Sequence, residues 1–186
     1  MNININDIKN GMTVILDGNL CMIVEFQHVK PGKGPAFVRI KYKNLKTGSI
    51  VEQTFNSGIK VPTAHVDKIK MQYLYNDGNM YSFMNMNTYE QVEIDKSQIS
   101  NEVKFLKEGL EVILYFYENE MLGIELPEKI DFKIIQTEPA VKGNTATNAT
   151  KDAIIETGYL VKVPLFIEQD EEIIVSTKDG KYVSRK

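Results

Sequence analysis

Cysteine, histidine and long apolar runs are scarce in this 186-residue chain, and each scarcity excludes a class of protein. The single cysteine, Cys21, excludes a disulfide framework, and its apolar neighbours predict a small buried side chain. The two histidines, His28 and His65, have no companions at metal-ligand spacing, so we expect no metal and no cofactor. No apolar run approaches the roughly 20 residues that a membrane-spanning helix needs. Because the polar first residues are no signal peptide, the expected location is cytoplasmic, with no membrane partner.

Acidic residues are missing from one stretch, because none lies between Glu25 and Glu52. The whole chain has a formal net charge of −3, but this charge is unevenly spread. Residues 1–62 carry eight Lys or Arg against four Asp or Glu, whereas residues 63–126 carry five against eleven. A basic first third before an acidic middle third indicates separate modules with different partners.

A symmetric loop rich in glycine and proline holds one lysine at its centre. Its residues are Lys30, Pro31, Gly32, Lys33, Gly34 and Pro35. Because apolar, strand-like segments flank the loop, we interpret it as the tip of a β-hairpin, in which glycine permits a sharp turn and proline restricts the backbone. Such a tip would hold Lys33 away from the body of the domain. The alternative is an ordinary Gly/Pro turn with a solvated lysine.

The strand predicted after this loop has two different faces, since alternate side chains of a strand point the same way. One face carries Phe37, Arg39, Lys41 and Lys43, and the other carries Val38, Ile40 and Tyr42. We name the three basic residues of the first face the cationic stripe. Together with Lys30, this stripe is the pattern expected for contact with nucleic-acid phosphates. The alternative, a merely solvated strand face, would normally mix both signs of charge.

Short alternating segments separated by turns predict an all-β chain. The predicted strands cover residues 11–16, 20–29, 36–43, 50–55, 58–63, 70–75, 80–85, 90–94, 111–117, 121–126, 130–137, 153–157, 159–166, 172–176 and 182–184. One short helix is predicted over residues 99–110, where apolar residues recur at helical spacing. Residues 142–151 predict a long exposed loop. The aromatic residues Tyr73, Tyr75, Tyr81 and Phe83 are predicted to fill a barrel core rather than to form a stacking platform.

The order of these elements predicts three small β-barrel domains, which are residues 1–63, 64–126 and 127–186. In the middle segment, strands, one short helix and further strands fit a five-stranded Greek-key barrel of the OB kind. The seam before the last segment lies at Leu126 and Pro127. The last segment predicts a second barrel of similar size.

Five short motifs stand in the order found in bacterial elongation factor P. They are residues 30–34 (KPGKG), 36–39 (AFVR), 143–146 (GNTA), 162–166 (KVPLF) and 182–185 (YVSR). Each motif alone is weak, but their ordered combination is specific, and the chain resembles this family from end to end. The resemblance implies an L-shaped mimic of tRNA, built from a KOW/SH3-like domain followed by two OB-folds. The archaeal and eukaryotic relative of the family is initiation factor five-A.

The resemblance implies a translation factor rather than an enzyme. It would bind the 70S ribosome beside P-site peptidyl-tRNA and promote peptide-bond formation at consecutive prolines by positioning the CCA end of the tRNA. The implied partners are the ribosome, its rRNA and the peptidyl-tRNA, with a ribosomal protein of the L1 stalk and a lysine-modifying enzyme as further candidates. A monomer is expected.

Site residues follow from the same resemblance, position by position. Lys33 matches the loop-tip residue that reaches toward the CCA end, and Tyr182 and Arg185 match a tail that contacts P-site tRNA. A loop near the small subunit is matched by Gly143, Asn144 and Thr145. Asn144 replaces an aspartate that is usual in the family. Asp170 replaces a usual glycine, and we expect a preserved turn there because Asp tolerates left-handed backbone better than most residues.

Two alternatives stay open at this point. The first is a general RNA- or protein-binding module of the KOW/OB type without a role in peptide-bond formation. The second is an enzyme that uses Lys33 as a Schiff-base nucleophile, which requires a lysine whose pKa is lowered by burial or by a neighbouring charge. A loop tip flanked by glycine offers no such pocket. Pro35 gives a further hypothesis, namely that a loop stiffened by proline works with an unmodified Lys33.

Overall fold

A computed structural model of the chain describes residues 1–140 and 149–186. Within these residues the secondary structure consists of β-strands and three single-turn 3-10 helices, which confirms the predicted all-β class. The strands are β1 (Asn2–Asn4), β2 (Thr13–Leu16), β3 (Asn19–Val29), β4 (Phe37–Asn44), β5 (Ile50–Asn56), β6 (Lys60–Pro62), β7 (Asp67–Asn76), β8 (Met80–Asn85), β9 (Gln91–Asp95), β10 (Glu111–Tyr117), β11 (Glu120–Glu125), β12 (Lys129–Thr137), β13 (Thr150–Ile155), β14 (Leu160–Pro164), β15 (Glu172–Ser176) and β16 (Tyr182–Arg185). The 3-10 helices are Ile5–Asp7, Lys96–Gln98 and Val103–Phe105. No helix in the described ranges is long and apolar enough to cross a membrane.

The chain divides into two compact units. One consists of Met1–Lys68 with Tyr115–Gly123, and the other of Ile69–Leu114 with Ile124–Lys186. In the first unit, β2, β3, β4 and β5 form a four-stranded antiparallel meander, and β1 pairs with β6. Its core consists of Ile5, Ile8, Val14, Leu16, Cys21, Ile23, Val38, Ile40, Tyr42 and Val61. The prediction of a buried Cys21 is therefore confirmed, and desolvation raises the pKa of its thiol.

Two five-stranded sheets follow along the chain. Their strand orders are β11-β10-β7-β8-β9 and β14-β13-β12-β15-β16. Within the second unit, Phe105, from the segment between β9 and β10, is buried beside the second of these sheets, its ring lying 6.5 Å from that of Phe132 and 5.7 Å from that of Tyr159, measured between centroids. The Thr157 hydroxyl also donates a 2.6 Å hydrogen bond to the Lys104 carbonyl. Apolar burial and satisfied polar groups hold this contact together.

The prediction of a short helix over residues 99–110 is wrong. One 3-10 turn, Val103–Phe105, lies within the region and another, Lys96–Gln98, ends just before it, with i→i+3 hydrogen bonds such as Leu106 N–H to Val103 O and Ile99 N–H to Lys96 O, both at 3.2 Å. The side chains of Ile99, Leu106 and Leu110 are nevertheless buried. Single 3-10 turns and a continuous α-helix can both direct residues three or four apart to one side, so the spacing did not distinguish them.

Two other predictions need correction. Lys151, assigned to a long exposed loop, lies in β13 and is only 8% exposed, with its ammonium donating a 2.6 Å hydrogen bond to the Glu138 carbonyl. Tyr75, assigned to a barrel core, is 58% exposed, whereas Tyr73, Tyr81 and Phe83 are buried as predicted. A register shift between Tyr73 and Tyr75 explains the difference, because it interrupts the alternation of faces along β7.

Candidate nucleic-acid interface

The Gly/Pro loop is an exposed tip on a fixed base. It connects β3 to β4, and the last cross-strand pair before it joins Val29 to Phe37. Val38, one residue farther along, is buried in the core, and the Ser57 N–H donates a 3.1 Å hydrogen bond to the Ala36 carbonyl. The six residues 30–35 are all exposed. The sequence-based prediction of a hairpin tip is therefore confirmed.

Gly34 is the residue on which the shape of the tip depends. Its φ angle is +107°, a backbone conformation that L side chains rarely adopt. A Cβ atom at this position would lie 4.0 Å from Pro31 Cγ, so the backbone angle, not a lack of space, requires glycine here. Pro35 follows directly and restricts the exit of the chain from the turn.

Lys33 has no partner among the residues that the structure describes. Among residues 1–140 and 149–186, its ammonium takes part in no hydrogen bond, ion pair or ring contact. It lies beside Gly32 and Gly34, which have no side chains to bury it. The three N–H donors of the ammonium are thus available to a partner outside the chain. The Schiff-base alternative gains no support, because no residue of the exposed tip encloses Lys33.

The cationic stripe has the predicted orientation on β4. Arg39, Lys41 and Lys43 are exposed, and the residues between them, Val38, Ile40 and Tyr42, are buried. The stripe therefore lies on the outer face of the meander, where the spacing of about 6.5–7 Å between alternate residues can follow a phosphate backbone.

Glutamates from the neighbouring strands share this face, which the sequence interpretation did not foresee. Lys41 is paired with Glu25 on β3 and with Glu52 on β5. Glu52 Oε1 also lies 3.7 Å from Arg39 Nε. The sequence has no acidic residue between these two glutamates, which indicated a surface free of acids. Strand pairing nevertheless brings both glutamates beside the stripe.

Arg185, in contrast to Lys33, is held in place by its neighbours. Its guanidinium donates to both carboxylate oxygens of Glu171, at 2.7 and 3.3 Å, and lies 4.9 Å from the centroid of the Phe166 ring. These hydrogen bonds lower the pKa of the Glu171 carboxyl below its ordinary value. Tyr182, two residues after Gly180 in the chain, is the first residue of β16, the strand that also contains Arg185. We call the residues of β16 with Lys186 the C-terminal edge.

Asp170 confirms the expected turn. Its φ angle is +70°, and its N–H donates a 2.9 Å hydrogen bond to the Ile134 carbonyl. Its carboxylate lies 3.1 Å from the Lys133 ammonium. The other predicted departure, Asn144, lies with Gly143 and Thr145 outside the described residues.

Sequence reasoning missed several residues at the C-terminal edge. Lys186 pairs with Asp131 at 2.8 Å and with Glu172 at 2.9 Å, and it lowers the pKa of Asp131 to about 2. Phe166 is 56% exposed, yet it supports the Arg185 guanidinium. The exposed aromatic was visible in the KVPLF motif, but its contact with a residue 19 positions away was not. Within the described ranges no group of His, Cys, Asp and Glu could hold a metal ion.

Comparison with protein families matches the chain to three domain models in order. Residues 4–61 match the KOW-like domain of elongation factor P, residues 66–124 its OB domain, and residues 130–185 its C-terminal domain. The three matches together span most of the chain.

Two solved structures have a similar fold. One is eukaryotic translation initiation factor 5A from Methanococcus jannaschii, with 28% sequence identity and a TM-score of 0.52, covering 67% of this chain and 95% of that one. The other is a translation initiation factor eIF-5A family protein from Naegleria fowleri ATCC 30863, with 18% identity and a TM-score of 0.51, covering 68% of this chain and 98% of that one. The second similarity supports the fold alone.

Proposed function

The chain belongs to the elongation factor P family and is a translation factor, and from this premise we propose that it relieves ribosomes stalled at consecutive prolines. It binds beside P-site peptidyl-tRNA and promotes peptide-bond formation by positioning the CCA end. The observation that carries this proposal is the tip of the first unit, where Lys33, without a partner among the described residues, extends from a base fixed in the core.

The proposed mechanism is positional. Proline is a poor nucleophile because its ring restricts approach to the ester, so a stalled complex gains most from a correctly held peptidyl-tRNA. Holding reacting groups in an attack-ready geometry lowers the entropic part of the barrier. The Lys33 ammonium can donate to phosphate and ribose oxygens of the CCA end. This mechanism assigns Lys33 no proton transfer and no covalent intermediate.

The remaining predicted site residues have supporting parts in this proposal. Lys30, Arg39, Lys41 and Lys43 contact rRNA phosphates, and Tyr182 and Arg185 contact the P-site tRNA. Gly143, Asn144 and Thr145 contact the region near the small subunit. We assign the domains to residues 1–63, 64–126 and 127–186. A ribosomal protein of the L1 stalk and a lysine-modifying enzyme are the further proposed partners of a monomeric, cytoplasmic factor.

Lys33→Ala tests the proposal directly. In a reconstituted translation system without its own factor, the wild-type protein should restore synthesis of a Pro-Pro-Pro reporter, and the variant should leave synthesis at the factor-free level. Thermal stability should not change, since Lys33 is exposed and its ammonium has no partner in the part of the chain that the structure describes. Lys46→Ala is the matched control, because Lys46 is an exposed lysine in the turn between β4 and β5, at the other end of β4.

Normal rescue by a folded Lys33→Ala protein would contradict the role of the tip. If the wild-type protein binds ribosomes but rescues no proline stall, the general KOW/OB binding module becomes the better description. Rescue by both wild type and Lys46→Ala, together with its loss in Lys33→Ala, supports the proposal.

A further inference from the structure

Two glutamates flank the cationic stripe, one on each neighbouring strand, directly opposite the same stripe residue. In the antiparallel register, Lys41 lies between Glu25 on β3 and Glu52 on β5. Directly paired residues project to the same face, with Cβ atoms about 5 Å apart. Glu52 also forms a 3.7 Å ion pair with Arg39. The outer face around Arg39 and Lys41 therefore carries two cations and two anions, rather than cations alone.

These glutamates accompany only part of the basic surface. Lys43 is paired with Met22 and Ile50, which are uncharged, and the loop lysines lie beyond the last strand pair. The charge balance of the basic surface therefore changes along the hairpin. Among the described residues, cations at the tip have no acidic partner, whereas cations of the stripe around Lys41 lie beside glutamates.

Fold stability does not account for this arrangement. The side chains of Arg39 and Glu52 are 49% and 60% exposed, and ion pairs at such positions stabilise a fold little because water screens them. Acids placed beside cations do, however, change what the surface can bind. They repel any phosphate that does not reach the cations from a suitable direction.

We propose that Glu25 and Glu52 are specificity-determining residues that restrict the stripe to RNA whose phosphates are held in matching positions. A flexible RNA must give up conformational freedom to hold its phosphates on the cations and away from the carboxylates, so its net gain in binding is small. A fixed RNA backbone can place phosphates against Arg39 and Lys41 while it avoids both glutamates. This inference rests on the proposed function for the identity of the matching RNA, which is that of the ribosome.

The experiment compares Glu25→Gln/Glu52→Gln with the wild-type protein in binding to a short oligouridylate, measured by fluorescence anisotropy over a range of salt concentrations. The double variant should bind the oligonucleotide several-fold more tightly. Its log–log salt slope should steepen by up to about 1.4 units if two phosphate contacts are gained, at about 0.7 per contact for single strands. The ratio of ribosome affinity to oligouridylate affinity should fall.

The matched control is Glu93→Gln/Glu120→Gln, which removes the same charge from two exposed positions outside the meander. If oligouridylate binding is unchanged in the stripe variant, or rises equally in the control, the proposal is overturned. The single variants Glu25→Gln and Glu52→Gln give the same test should the double variant fold poorly, and Glu52→Gln should have the larger effect because Glu52 contacts Arg39. The oligouridylate measurement needs no ribosome, so its outcome is separate from that of the proline-stalling assay.

Discussion

Lys33 and Arg185 are both proposed to contact RNA, but the protein holds them in opposite ways. Lys33 extends from the tip without a partner in the described residues, whereas Arg185 is bound at two points by Glu171 and lies over Phe166. A free lysine loses side-chain freedom when it binds. A guanidinium that is already oriented loses less, but its charge is partly matched before RNA arrives. The tip is therefore suited to extend a mobile side chain toward a distant RNA group. The C-terminal edge is suited to hold a side chain in one fixed orientation for RNA contact.

The cationic stripe is intermediate between Lys33 and Arg185, because only part of its charge is matched by internal partners. Its removal is expected to have the largest effect. Replacing Arg39, Lys41 and Lys43 together with Gln should weaken ribosome binding and flatten its log–log salt slope by up to about three units, since each lost phosphate contact removes up to about one. Among single changes, Lys43→Gln should weaken binding more than Arg39→Gln, because Glu52 already matches the charge of Arg39. Filter binding over a salt series measures both. An unchanged slope in the triple variant would remove the stripe from the interface.

Two glycines with positive φ, Gly34 in the tip and Gly180 in the turn just before the C-terminal edge, sharpen the contrast between these regions. A Cβ on Gly180 would lie 2.5 Å from the Tyr159 hydroxyl oxygen, whereas a Cβ on Gly34 meets nothing closer than 4.0 Å. Gly180→Ala should lower the free energy of unfolding by about 1–3 kcal/mol through strain and crowding. Gly34→Ala should change that free energy less but impair proline rescue. Urea unfolding measures the change in the free energy of unfolding for both Gly180→Ala and Gly34→Ala.

A second substitution makes the glycine prediction stricter. Tyr159→Phe removes the hydroxyl that a Cβ on Gly180 would crowd, so it should recover part of the loss in a double-mutant cycle. Equal stability losses at Gly34 and Gly180 would show that the two regions are equally constrained, against the comparison.

Acid should weaken the C-terminal edge but not the tip. Hydrogen bonding from Lys186 lowers the pKa of Asp131 from an ordinary 3.8 to about 2. A carboxyl whose folded pKa is lowered contributes stability above its unfolded pKa, and this contribution is lost as the pH falls toward about 2. Lys186→Ala should therefore reduce the free energy of unfolding at pH 6, and its difference from wild type should shrink between about pH 4 and pH 2.

Urea unfolding at several pH values, with an NMR titration of the Asp131 carboxyl, measures this dependence. Lys178→Ala is the control, because Lys178 is an exposed lysine in the turn between β15 and β16. If Lys186→Ala and wild type keep a constant difference down to pH 2, the ion pair does not set the acid response.

The smallest expected effect concerns Pro35. Proline at a compatible loop position contributes about 0.4–1 kcal/mol by restricting the flexible state, so Pro35→Ala should reduce proline rescue about two- to fivefold at limiting factor concentration, with the fold unchanged. We expect the native protein to act with an unmodified Lys33. Intact-mass analysis would show a stoichiometric addition at Lys33 if that expectation is wrong, and full activity of unmodified Pro35→Ala would contradict the stiffening argument.

Much of the fold could be predicted because strand patterning is local. The alternation of Val38, Ile40 and Tyr42 with charged residues gave the correct buried face of β4, and glycine and proline marked the tip. The exposure of Tyr75 could not be predicted in this way, since it depends on a register shift between paired strands.

The candidate site was less predictable for the same reason. The polar neighbours of Lys151 predicted a loop. Its buried ammonium instead donates a hydrogen bond to the backbone carbonyl of Glu138. Glu25 and Glu52 are 27 positions apart in sequence and meet beside Lys41 only through the sheet. Contacts that depend on pairing between distant segments leave no local pattern in the chain.

Burial of Cys21 has a practical consequence for experiments on this protein. The only thiol in the chain is 1% exposed, and its raised pKa keeps little of it as the reactive thiolate. Maleimide dyes should therefore leave the folded native protein almost unlabelled. A cysteine introduced at Lys46 would then be a single attachment point, so that a fluorophore could report arrival at the ribosome without prior removal of the native residue.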